Sequence, residues 1–137
     1  TNNKNIKKME MANQVLAELE RLNLSPIIDG NKIVFTYQGV RYMFCNFGME
    51  NYIFFTTHIA DAESELLTET LKAMNTVNIL IHFGKLTLQD GRVLASYEYL
   101  MPDDAKMEYV ILNAFSTLSY ARDKFYSELA GAKAKFK

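Results

Sequence analysis

Three side chains of this sequence have the reactivity for nucleophilic or metal chemistry: the single cysteine, Cys45, and the two histidines, His58 and His82. A thiol attacks as its thiolate, so nucleophilic use would need Cys45 within reach of a base such as a histidine. Cys45 falls in the run Val40 to Phe47, whose residues alternate as in a strand, and a cysteine in that setting reads as a buried, inert thiol. A metal site needs ligands at a recognisable spacing, and Cys45, His58, His82 and the scattered carboxylates show none. Glu63, Glu65 and Glu69 gather near one helix start and Asp103-Asp104 at another, where capping and the helix dipole account for them. Gly39, Gly84 and Gly91 fall at turns rather than in a phosphate-binding loop. The expectation is no catalytic residue, no metal and no cofactor. Two chemical alternatives stay open: an enzyme pairing Cys45 with a histidine, and a binder of a small apolar ligand in a pocket lined by Tyr42, Phe44, Tyr52 and Phe54.

The elements that would position these residues can be read from periodicity. Ile6, Met9, Ala12, Val15, Leu19 and Leu22 recur at helical spacing, so Asn5 to Asn23 forms an amphipathic helix, which Ser25-Pro26 ends. Three strands follow, Lys32 to Tyr37, Val40 to Phe47 and Tyr52 to Ile59, joined at Gln38-Gly39 and at Gly48 to Asn51. Asp61 is the expected N-cap of a second helix with Leu67, Leu71, Met74, Val77 and Ile81 on its buried stripe. The run LTLQDGRVLASYEYLM forms a hairpin around Asp90-Gly91. Met101 to Asp104 starts the longest helix, with Met107, Ile111, Ala114, Leu118, Ala121, Phe125 and Leu129 inward and Gly131 as its C-cap. Leu71, Met74, Val77, Leu118, Ala121 and Phe125 are expected in the core. Asn78 lies near the apolar stripe, and its amide is expected to bond to the turn at His82 to Gly84.

The class is α+β, an antiparallel sheet with helices in the order α-β-β-β-α-β-β-α. Residues 1–137 read as one domain with frayed ends at 1–4 and 132–137. A net charge of -1 and lysine clusters without aromatic partners give no expectation of nucleic-acid binding. No apolar run suits a membrane span, and the single cysteine suits a reducing compartment, so the cytoplasm is expected; a start at Thr1 leaves a removed signal open. Both faces of the sheet carry apolar residues, and one helix layer covers only one of them. A homodimer is therefore expected, with Tyr42, Phe44, Phe54, Leu94, Tyr97 and Tyr99 as the candidate partner or dimer surface.

The segment AMNTVNILIHFGKLTLQDGRVLASYEYLM, with its Asn-x-x-Asn step, Gly-Lys strand and Asp-Gly turn, precedes a helix ending in ARDKFYSEL. This pattern resembles the YbjN-like proteins and the wider type III secretion chaperone-like fold. The resemblance implies a bacterial protein, a homodimer and an extended polypeptide as partner. The near-neutral charge departs from the acidic balance of typical secretion chaperones, and the YbjN-like branch implies a regulatory, non-enzymatic protein-binding role.

Overall fold

The computed structural model describes residues 2–134, with side chains from Met11 to Lys133. Helix α1 (Asn2–Arg21) leads into strands β1 (Ile27–Asp29), β2 (Lys32–Tyr37), β3 (Val40–Cys45) and β4 (Tyr52–Asp61). A 3-10 turn at Ser64–Leu66 precedes α2 (Leu67–Leu80), then come β5 (Gly84–Gln89), β6 (Arg92–Leu100) and α3 (Met107–Ala134). The expected order holds with one addition, the short edge strand β1, which pairs with β2 around Gly30-Asn31. Three residues behind a proline carry too little alternation to be read from sequence. Of the ends expected to fray, Thr1 and residues 135–137 lie outside the described residues, as do the side chains of Ile6 and Met9. The last helix runs past Gly131 to Ala134, so Gly131 is not its cap.

The sheet is antiparallel with strand order β1-β2-β3-β4-β6-β5. The two tight hairpins carry the chemistry expected of them, since Gln38-Gly39 and Asp90-Gly91 place positive φ at both central residues. The chain crosses from β4 through α2 to the far edge, and the hairpin folds back so that β6, not β5, lies against β4. A bulge between His58 and Ala60 shifts the β4–β6 register. There the Tyr126 hydroxyl on α3 donates to the Ile59 carbonyl at 2.5 Å.

Helix α3 packs on β4, β5 and β6, α2 on α3 and β5, and α1 on α3. The inner sheet face supplies Ile33, Phe35, Tyr42, Phe44, Ile53, Phe55, Ala95 and Tyr97, all buried with Phe115, Leu118 and Phe125 of α3. Tyr37 stacks on Phe115 at 4.3 Å between ring centres. Met74, Val77, Leu118, Ala121 and Phe125 are buried as expected, but Leu71 is 46% exposed. The inward face of α2 is Thr70, Ala73, Met74 and Val77, so Leu67 and Leu71 turn outward. Small Thr70 and Ala73 let α2 sit against α3, a preference that apolar spacing alone does not express. Asp61 does not cap α2; it ends β4, and its carboxylate meets His58 Nε2 at 3.0 Å.

At Gly84 β5 passes close to α3. A Cβ there would lie 3.0 Å from Thr117 Cγ2 and 3.2 Å from both the Ser96 carbonyl and Ile81 Cδ1. Among the described residues no helix packs on the outer face of the sheet, where Val34, Met43, Phe54, Thr56 and Leu94 are half-buried by their neighbours in the sheet.

Candidate functional site

The six residues expected to form one surface are divided by the fold. Tyr42, Phe44 and Tyr97 are 2%, 0% and 2% exposed, which removes them from any open dimer surface; strand alternation turns them inward under α3. Phe54 and Leu94 lie on the outer face, Phe54 near the end of the sheet where Leu100 is exposed and Leu94 nearer the bulge. Tyr99 lies beside Tyr97 on the inner face, at the rim of the helix layer. The pocket expected from Tyr42, Phe44, Tyr52 and Phe54 does not form, because the first two face inward and the last two outward.

The reactive trio is not brought together either. Met43 pairs with Thr56, so Cys45 lies two residues to one side of that rung and His58 two residues to the other. At strand rise this separates them by about 13 Å. Among the described residues Cys45 makes no hydrogen bond to a histidine. Burial pushes the Cys45 thiol above its ordinary pKa, the opposite of what a thiolate nucleophile needs, with Lys32 a smaller opposing influence. No cluster of three potential metal ligands occurs among the described residues, and none of their helices is long and apolar enough to cross a membrane.

The surface with the most distinctive geometry is one that periodicity did not mark. After α2 the Ile81 amide bonds back to the Val77 carbonyl at 3.1 Å, and the chain reaches β5 through His82 and Phe83. Phe83 adopts a φ of 60° and its side chain is 63% exposed. For a bulky residue this left-handed conformation is a true outlier. The Glu98 amide holds it, donating to the Phe83 carbonyl at 2.8 Å. The ring packs edge-on against Tyr99 at 5.3 Å and Tyr97 at 6.5 Å. Two concavities of about 430 and 350 Å³ flank it, sharing Phe83, Tyr97 and Asn113. Together they form a groove along α3 from Lys106 to Tyr120, about 21 Å at helical rise. Its rim carries the exposed apolar side chains of Leu80, Tyr109 and Tyr120, while Asn113, Ser116 and Thr117 supply hydrogen-bonding groups and Asp104 and Lys106 line one end.

A second apolar patch occupies one end of the outer face. Phe47 packs on Phe54 at 5.3 Å and Tyr52 at 6.1 Å, and Phe47, Met49 and Leu100 are exposed. Beside it the Tyr52 hydroxyl donates to Glu98 Oε2 at 2.7 Å, and Lys85 Nζ meets Glu98 Oε1 at 3.0 Å.

No protein-family model matches the chain, and no curated protein matches it. Among solved structures it is similar to that of YbjN from E. coli, described as a proposed transcription regulator, with 12% identity over 90% of this chain and 92% of that one and a TM-score of 0.58. The fold is YbjN-like. At that identity the likeness concerns architecture, and this YbjN-like fold carries both the Phe83 groove and the outer-face patch. A signal for the groove exists in hindsight: the link His82-Phe83-Gly84 places a large aromatic residue in a loop where no stripe requires one.

Proposed function

We propose that this chain is a non-enzymatic, regulatory protein-binding module that lays an apolar stretch of polypeptide along the groove astride Phe83. The observation that carries this reading is Phe83 itself, a phenyl ring held in a left-handed backbone conformation and mostly open to water. Such a conformation costs of order 1 to 3 kcal/mol and collects at binding sites. The groove length suits about six residues of an extended segment or four turns of helix. Its aromatic walls and spaced polar groups suit the backbone and apolar side chains of a peptide, with Asp104 and Lys106 at one end for its polar groups. The raised thiol pKa of Cys45, and its distance from His58, support a non-enzymatic role. The regulatory part draws on the description of the YbjN structure.

The module is also proposed to form a homodimer, the second copy meeting the patch of Phe47, Tyr52, Phe54 and Leu100, since exposed aromatic surface beside an open sheet favours self-association.

A peptide array of apolar segments, probed with the full chain, tests the first part. Binders are expected that weaken about tenfold or more with Phe83→Ser while Phe47→Ser leaves them unchanged. An array with no binder sensitive to Phe83→Ser would overturn the groove. Light scattering tests the second: a dimer mass is expected, falling to a monomer with Phe54→Asp, and a monomer mass for the unaltered chain would refute it.

A further inference from the structure

Three arginines far apart in sequence meet in one cleft that shares no lining residue with the Phe83 groove. The β3–β4 register runs through Met43 with Thr56 and Phe44 with Phe55 and goes no further, so the start of β3 and the end of β4 part toward Val40 and Asp61. The β4 bulge after His58 is a further source of bending there. The opening is a half-enclosed cleft of about 440 Å³. Arg41 enters from β3, Arg92 from β6 and Arg122 from α3, with Val34, Met43 and Leu94 as apolar wall. The Thr57 hydroxyl spans the parted strands, donating to the Arg41 carbonyl at 2.7 Å.

No carboxylate lines this cleft: Asp61, opposite Arg92 in the β4–β6 register, meets the lining His58 at 3.0 Å instead. Among the described residues none of the three guanidinium groups makes an ion pair within 4.0 Å or a side-chain hydrogen bond, whereas Arg21, Lys85 and Lys124 each have a glutamate partner. The chain has 16 acidic residues to 15 basic ones, so the lack of an acid here reflects placement rather than composition. Arg122 Nη1 is fully buried without a hydrogen-bond partner, and its guanidinium lies 5.9 Å from the Tyr126 ring centre, which helps to orient it. A buried donor within a like-charged set is unfavourable, and an anion in the cleft would offset that charge. Guanidinium forks suit the paired oxygens of a phosphate or carboxylate.

We propose that this cleft binds a small organic anion, with a phosphate or carboxylate head on Arg41, Arg92 and Arg122 and an apolar body against Val34, Met43 and Leu94. The volume is that of a small-molecule site, and a net charge of -1 gives no overall field to draw in a nucleic acid. The site stands independently of the Phe83 groove.

Calorimetric titration of the full chain with phenyl phosphate, phenylacetate, inorganic phosphate and benzyl alcohol tests it. At least one of the two organic anions is expected to bind saturably at one per chain, and the stronger of them identifies the head group. Benzyl alcohol and inorganic phosphate, each lacking one half of the ligand, are expected to bind at least about tenfold more weakly. Arg122→Gln is expected to weaken binding about tenfold or more. Arg92→Gln and Arg41→Gln, at exposed positions, do the same without risk to the fold, and carry the test should Arg122→Gln fail to fold. No saturable binding of either organic anion would overturn the proposal. So would equal binding of benzyl alcohol or inorganic phosphate, or an affinity unchanged in Arg92→Gln and Arg41→Gln.

Discussion

The Asn78 carboxamide holds the backbone of Leu86 at both of its polar groups: Oδ1 accepts from the Leu86 amide at 2.7 Å, and Nδ2 donates to the Leu86 carbonyl at 3.2 Å. Strand β5 is the outermost strand at its side of the sheet, so this amide stands where a further strand would otherwise pair. The expected bond to the turn at His82 to Gly84 is replaced by one that reaches past it into the strand. Asn78→Ala should destabilise the chain by about 1 to 3 kcal/mol despite a better helix propensity, because both Leu86 groups lose their partner. Urea denaturation measures this, and a gain in stability would show that the pair contributes nothing.

Gly84 is required by space rather than by dihedral angle. Gly84→Ala should cost about 1 to 3 kcal/mol through overpacking against Thr117 and the Ser96 carbonyl. Removing the closest atom with Thr117→Ser should recover part of that loss in the double variant. Additive effects in the double-mutant cycle would refute the contact as its cause.

Phe83 behaves differently if its ring serves a partner. Glycine adopts a φ of 60° without strain, so Phe83→Gly should leave stability within about 1 kcal/mol of the parent or raise it, while removing the apolar centre of the groove. A loss of core magnitude, about 3 kcal/mol or more in the denaturation midpoint, would make Phe83 a packing residue instead.

The Tyr52–Glu98–Lys85 group predicts a pH dependence with a definite sign. Burial first, and then the hydrogen bond to Glu98, raise Tyr52 from 10.0 to about 12. The folded chain keeps a proton that the unfolded chain releases, so this contribution is full below pH 10 and is lost as pH rises toward 12. Glu98 is held below its ordinary pKa, by the Tyr52 hydroxyl first and then by Lys85. Its contribution is full above the ordinary carboxylate value and is lost as pH falls through the lowered one. Midpoints of urea denaturation across both ranges should show Tyr52→Phe flattening the alkaline slope and weakening the acid one. Parallel curves for parent and variant would refute the assignment.

The sequence by itself determined those features that depend on neighbours along the chain. Positive φ at Asp90-Gly91 and Gln38-Gly39 sets two hairpins locally, and the spacing from Ile111 to Phe125 marks the buried side of α3 because that helix lies across the sheet. Tertiary structure decided what depends on which surfaces meet. The buried side of α2 turned on how closely Thr70 and Ala73 allow α3 to approach, so Leu67 and Leu71, apolar by type, ended outside. The same alternation that identified the strands left open which face the helices would cover, and Tyr42 and Phe44 went under them while Tyr52 and Phe54 did not. The groove at Phe83 exists because the returning hairpin places β6 against β4 and leaves the α2–β5 link beside α3. Arg41, Arg92 and Arg122 share no spacing at all, and only the parting of β3 from β4 above α3 puts three unpaired positive charges in one cleft.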